Sequence, residues 1–199
     1  MTRRIVSPYV LAGTTFILVG VSLLLTVASA RAEIYPQTRT GWFIGLGTGV
    51  GNAGFASDPD RETGAAGSFR AGYSISEQWG LGLESNAWRK EVENTTFTFN
   101  VAGPAIYFHP ANGGLVLRGG VGMGSVHASA SSGSLTVSAS DSGLGLTAGA
   151  AYEFRIMRTF SLGPQIDFGW MSIDSGGSND EINYVNVGLS FDWHFISMH

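Results

Sequence analysis

From Trp42 to Phe195 the chain alternates between apolar and small or polar positions with period two. In 42–50 the even positions are Trp42, Ile44, Leu46, Thr48 and Val50, set against Phe43, Gly45, Gly47 and Gly49. In 67–75, Phe69, Ala71, Tyr73 and Ile75 oppose Ser68, Arg70, Gly72 and Ser74. In 79–88, Trp79, Leu81, Leu83 and Ala87 oppose Gly80, Gly82, Glu84 and Asn86. In 96–107, Phe97, Phe99, Val101, Ala105 and Tyr107 oppose Thr96, Thr98, Asn100, Ala102 and Pro104. The same rhythm returns in 115–124, 143–156, 160–171 and 184–195. Strict alternation predicts strands with two unlike faces, here eight of them.

Connection lengths alternate as well. Strands two and three, four and five, and six and seven are joined by short turns at 76–78, 109–114 and 157–159. The other connections are longer polar stretches at 52–66, 89–95, 125–142 and 172–183, read as loops. An even up-and-down barrel with short turns at one rim and loops at the other produces this rhythm.

Period two does not say which face is outside. A soluble barrel turns its apolar face inward. Here the other face is mainly Gly, Ser, Thr and Asn, a poor surface for water but a good lining for a narrow lumen. Only 13% of residues are charged, about half the usual share in soluble domains. The apolar face carries Trp42, Tyr73, Trp79, Tyr107, Phe160 and Trp170, mostly near strand ends, as aromatic girdles at two membrane interfaces would. The fold expected is all-β: an eight-stranded antiparallel up-and-down transmembrane β-barrel.

The first segment reads as an address. Arg3 and Arg4 precede an apolar run from Val10 to Ala28, followed by Ala30-Arg31-Ala32. This order predicts a cleaved signal peptide over 1–32. A short lead-in at 33–40, the barrel at 41–195 and a tail at 196–199 complete the organisation. Cleavage would remove three of the 11 Lys and Arg and none of the 15 Asp and Glu, leaving eight cations against 15 acids, a net −7. That balance argues against nucleic acid as a partner. The absence of cysteine excludes disulfides, thiolate zinc sites, Cys nucleophiles and lipid anchors on Cys.

The last strand carries polar-x-Gly-x-x-aromatic-x-aromatic at Asn186, Gly188, Phe191 and Trp193, with Phe195 following. This resembles the C-terminal assembly signal of Gram-negative outer-membrane proteins, except that the chain continues through Ile196 to His199. The stretches 41–51 and 115–124 also resemble the small OmpA/OmpX-like barrel family. The resemblance covers 41–195. It implies the outer membrane as compartment, its lipid and lipopolysaccharide as surroundings, the barrel-assembly machinery as a partner, and loops able to contact a surface ligand. It names no activity.

Candidate chemistry lies in the lumen. Arg70, Arg118 and Arg155 share the inward face with Glu84, Glu153, Asp167 and Asp192. Eight strands leave room only for side chains, so these charges are expected to pair into a plug. A narrow ion pore through exchangeable pairs is the alternative. Ser190, Asp192 and His194 have hydrolase residue types on one strand face. At ~3.3 Å per residue, however, Ser190 and His194 lie ~13 Å apart, too far for a triad. The His-x-Ser of lipid A deacylases occurs only at His127-Ala128-Ser129, away from the penultimate strand, so lipid A modification is the weaker reading. No cofactor motif appears. The acidic stretches Asp58–Glu62 and Asp174–Glu181 lack EF-hand spacing and predict no metal site. The Ser-rich run 128–142 reads as an exposed contact loop.

Overall fold

In the computed structural model, residues 39–58, 60–110, 113–132, 135–175 and 178–196 are described. The segment 1–32 read as a signal peptide, residues 33–38 of the lead-in and residues 197–199 of the tail lie outside them. The strands are β1 (Gly41–Phe55), β2 (Glu62–Ser74), β3 (Trp79–Val92), β4 (Thr95–Phe108), β5 (Leu115–Ser132), β6 (Leu135–Tyr152), β7 (Phe154–Met157), β8 (Phe160–Ser175) and β9 (Ser178–Ile196). β7 continues the stave of β6 after an interruption at Glu153. Each strand pairs antiparallel with its neighbours, and β1 meets β9 while β6 meets β8, so the sheet closes as eight staves.

The register fixes the shape. Trp42 pairs with Tyr73, Tyr73 with Leu81, Leu81 with Ile106 and Ile106 with Gly119. Gly119 pairs with Ala148, Ala148 with Phe168, Phe168 with Val185, and Val185 with Asn52 back on β1. One circuit therefore climbs from position 42 to position 52, a stagger of ten residues. With ~3.3 Å rise and ~4.8 Å strand spacing, that stagger tilts the strands by about 40° and sets a radius of roughly 8 Å.

Exposure settles the faces. Trp42 is 64% exposed, Leu83 63% and Met123 61%, while Arg70, Glu84 and Asp167 are buried. Apolar side chains stand outward into lipid and charges point in. Seven staves follow the parity read from sequence. β4 is the exception: Phe99, Val101, Ala105 and Tyr107 are buried inside, and Pro104 and Ile106 face out. The sequence assigns the more apolar face to lipid, but this lumen is itself apolar in two places and claims those side chains.

The four long connections also differ from expectation. Most of 52–66, 89–95, 125–142 and 172–183 is strand. Here the alternation fades for a physical reason. Beyond the apolar layer that holds Ala53, Ile173 and Ile182 both faces meet water, and Val137 through Ser142 are exposed on both sides. Ser, Thr and Ala there satisfy the ladder without an amphipathic signature.

Candidate functional site

The lumen is filled in layers. Near the short turns, Phe43, Ala105, Tyr107, Val116 and Ala151 form one apolar cluster. Phe43 meets Tyr107 edge-on at 4.9 Å, and Tyr107 Oη donates to Leu83 O at 3.3 Å. Tyr107 is therefore not a girdle residue, and its outward neighbour Phe108 takes that place, 4.6 Å from Trp79.

The middle layer is ionic. Arg70 donates through Nε and Nη2 to the two oxygens of Asp192 at 2.8 and 2.7 Å, and through Nη1 to Gln165 at 3.3 Å. Arg118 donates to Asp167, and its Nε lies 3.5 Å from Glu84 Oε2. Asn86 donates to the other Glu84 oxygen. All of these side chains are at most 5% exposed. Glycines make the room: a Cβ on Gly45 would overlap Arg70 and Asp192, and one on Gly149 would overlap Asp167 and Arg118. Paired and hydrogen-bonded, the charges tolerate burial that isolated ones would not.

Toward the long hairpins, Ala53, Trp88, Phe99, Val101, Met171, Ile173, Ile182 and Tyr184 form a second apolar cluster. Trp88 stacks on Phe99 at 5.1 Å and donates to Gly51 O at 3.1 Å. Tyr184 Oη donates to Asn86 O at 2.8 Å.

At the opposite end lies a group the sequence reading missed. Arg39, two residues before β1, puts its guanidinium inside the mouth, where Nη2 donates to Gly113 O at 2.7 Å and lies 3.5 Å from Glu153 Oε2. His194 Nε2 is 3.4 Å from the same carboxylate oxygen. Arg155 is buried beside them and donates to Arg158 O at 2.9 Å. His109, in the turn after β4, is buried and held down at about 4 by desolvation, with the Arg39 charge adding to it. Arg39 balances the inward set: Arg39, Arg70, Arg118 and Arg155 face Glu84, Glu153, Asp167 and Asp192. Only its place ahead of the first alternating segment hid it.

The structure disperses the hydrolase types on β9. Asp192 is held by Arg70, His194 lies against Glu153, and Ser190 Oγ is buried with no hydrogen-bond partner among the described residues. His127 stands on the outward face of β5. No cluster of three or more metal-ligating side chains occurs among the described residues.

The outer face carries its aromatics mainly at the short-turn end. Trp42 meets Tyr73 at 5.3 Å, Phe160 meets Trp193 at 5.1 Å and Tyr152 meets Phe154 at 5.0 Å. Phe195 stands exposed beside them. Trp170 lies ten residues above Phe160 on β8, about 25 Å along the barrel axis, the height of an outer-membrane apolar band. In β9, Asn186 and Asp192 point inward and Phe191 and Trp193 outward. Gly188 packs against Gly49, where a Cβ would strike Thr48 O.

The sequence profile of the outer membrane protein beta-barrel domain matches residues 16–195. No curated protein matches in sequence. Among solved structures, Neisserial surface protein A is similar with a TM-score of 0.57 at 13% identity, covering 78% of this chain and 98% of its own. The attachment invasion locus protein of Yersinia pestis, Ail, is similar at 0.54 and 17% identity, covering 77% and 99%. Its complex with the heparin analogue sucrose octasulfate gives 0.56 at 16%, again covering 77% and 99%. At such identities the likeness is one of fold. With the closed eight-stave ring, the outward apolar band and the profile match over most of its length, the chain belongs to the outer-membrane β-barrel family and resides in the Gram-negative outer membrane.

Proposed function

We propose that this protein is a closed barrel that presents its long hairpins as a contact surface, with a lumen plugged by charged pairs. The observation that carries the reading is the length of the hairpins. β5 and β6 are 18 residues each, whereas about 9–11 tilted residues cross a bilayer. The excess raises paired strand well above the outer interface, a stiff support for a surface and an unneeded one for a simple plug. The lumen offers no reason to expect transport, because Arg70, Arg118, Asp167 and Asp192 fill its width.

The charge of the projecting end narrows the kind of ligand. Asp58, Asp60, Glu62, Glu91, Glu93, Asp141, Asp174, Asp180 and Glu181 lie there, against Arg61, Arg89 and Lys90. Such a field disfavours a sulfated polyanion of the kind bound by Ail and suits a neutral or cationic partner. The lipid-facing band is in contact with lipopolysaccharide and phospholipid. The β9 motif at Asn186, Gly188, Phe191, Trp193 and Phe195 serves recognition by the barrel-assembly machinery. No catalytic role is assigned, because the Ser, Asp and His of β9 are each engaged or buried apart.

Three readouts on the purified barrel test this. Planar bilayers are expected to record no discrete conductance steps at neutral pH, and steady steps would replace the plug with a narrow pore. Lipid A from overexpressing cells is expected to keep its mass spectrum, and a new acylation state would move the protein to the lipid-modifying enzymes. Immobilised heparin is expected not to retain the barrel at low salt, and retention would overturn the charge argument.

A further inference from the structure

We propose that Arg39 is a removable stopper in the short-turn mouth of the barrel, held by Glu153 and Gly113 and released when His109, in the turn beside it, takes up a proton. This rests on the closed-lumen reading above and extends it to one mouth. The geometry comes first. Arg39 precedes β1, yet its guanidinium is bound to Gly113 O, at the entrance to β5, and to Glu153, at the break between β6 and β7. These acceptors belong to staves four and five steps around the ring of eight, so the side chain crosses the mouth rather than lining it. Glu153 is itself set in place by its N–H, which donates to Gly114 O at 2.7 Å. The Arg39 side chain is 0% exposed.

The charges around it supply the release. His109 comes from the β4–β5 turn, Glu153 from the β6–β7 break, Arg155 from β7 and His194 from β9. Arg70 and Asp192 lie deeper on the same axis and act on Glu153 and Arg155 respectively. With His109 neutral, Glu153 faces the guanidinium groups of Arg39 and Arg155. A proton on His109 sets a further positive charge against Arg39 in this dry space and weakens its hold there. Glu153, Arg155 and His194 are fixed on the barrel wall, whereas Arg39 stands ahead of the first strand and is the group able to leave. His109 resists protonation until about pH 4, so release belongs to acid conditions.

The chain contains no cysteine, so a single spin label at Thr40→Cys, an exposed neighbour of Arg39, reports the stopper in the refolded barrel. The label is expected to be immobile at pH 7 and mobile at pH 4. Adding Glu153→Gln is expected to free it already at pH 7, and adding His109→Gln is expected to keep it immobile at pH 4. A label that stays immobile at pH 4 in a barrel still heat-modifiable on SDS gels overturns the proposal. So does a Glu153→Gln barrel as immobile as its parent. The unsubstituted protein gives a second reading: trypsin should cut after Arg39 at least about tenfold more slowly than after exposed Arg158, since cleavage follows the open population. Equal rates would mean that Arg39 is not seated. Conductance at pH 7 would overturn the plugged-lumen reading while leaving the label and trypsin results to judge Arg39 separately.

Discussion

The two ends of the lumen are sealed by different physics. Toward the long hairpins, Trp88, Phe99, Met171 and Tyr184 pack as the core of a soluble domain does. In the middle and at the short-turn mouth, where only the smaller cluster around Phe43 and Tyr107 is apolar, closure also depends on paired charges: Arg70 with Asp192, Arg118 with Asp167 and Glu84, and Arg39 with Glu153. An apolar seal loses stability in proportion to the volume removed and is indifferent to pH. An ionic seal depends on every partner being present and on their protonation. The end facing the outside carries the seal that is insensitive to pH and salt.

This contrast can be broken most sharply at Arg118. Arg118→Ala leaves Glu84 and Asp167 buried without their counter-charge and is expected to cost about 3–5 kcal/mol in denaturant unfolding. Joint replacement with Glu84→Gln and Asp167→Asn should recover most of that loss, and failure to recover would mean that Arg118 acts by volume rather than charge. Trp88→Ala opens a cavity in the outer seal and is expected to cost about 3 kcal/mol, with the same value at pH 7 and pH 5. Neither substitution, nor the two together, should open conductance, because the Arg70–Asp192 pair and the Phe43–Tyr107 cluster still close the path.

Acid sharpens the same distinction. An unfolded His109 binds its proton near the ordinary value of 6.5, but the folded one stays neutral to about 4. Between those values the unfolded chain holds more protons, so stability falls as pH drops through that window. The loss between pH 7 and pH 5 is about 2 kcal/mol, and a titration of unfolding midpoints should lose that slope in His109→Gln. The smallest effect is expected on the lipid face. Trp193→Leu forfeits the ring contact with Phe160 but stays solvated by acyl chains, costing about 1 kcal/mol.

Much of this architecture is legible from parity because a barrel wall separates two unlike media. Trp42, Leu46 and Val50 face lipid while Gly45 and Gly49 face the lumen, and the spacing of two records it. Legibility fails where the media become alike. On β4, Phe99 and Tyr107 enter apolar parts of the lumen, so the more hydrophobic face is the inner one. In 137–142 both faces are wet, and Ser-rich strand is indistinguishable from loop. Arg39 lies ahead of the first alternating segment, where periodicity has nothing to say. Its pairing with Glu153 is a contact between residues far apart in the chain.

The ten-residue climb of the register also governs how such a gene can change. One residue gained or lost inside a strand would turn every later side chain of that strand through the wall, carrying Arg70 or Asp192 into hydrocarbon. Insertions and deletions are therefore confined to the connections between strands, such as those that follow Phe55 and Val92. Within the staves, divergence proceeds by substitution alone. Descendants of this barrel would keep their strand spacing long after their surfaces had ceased to resemble one another.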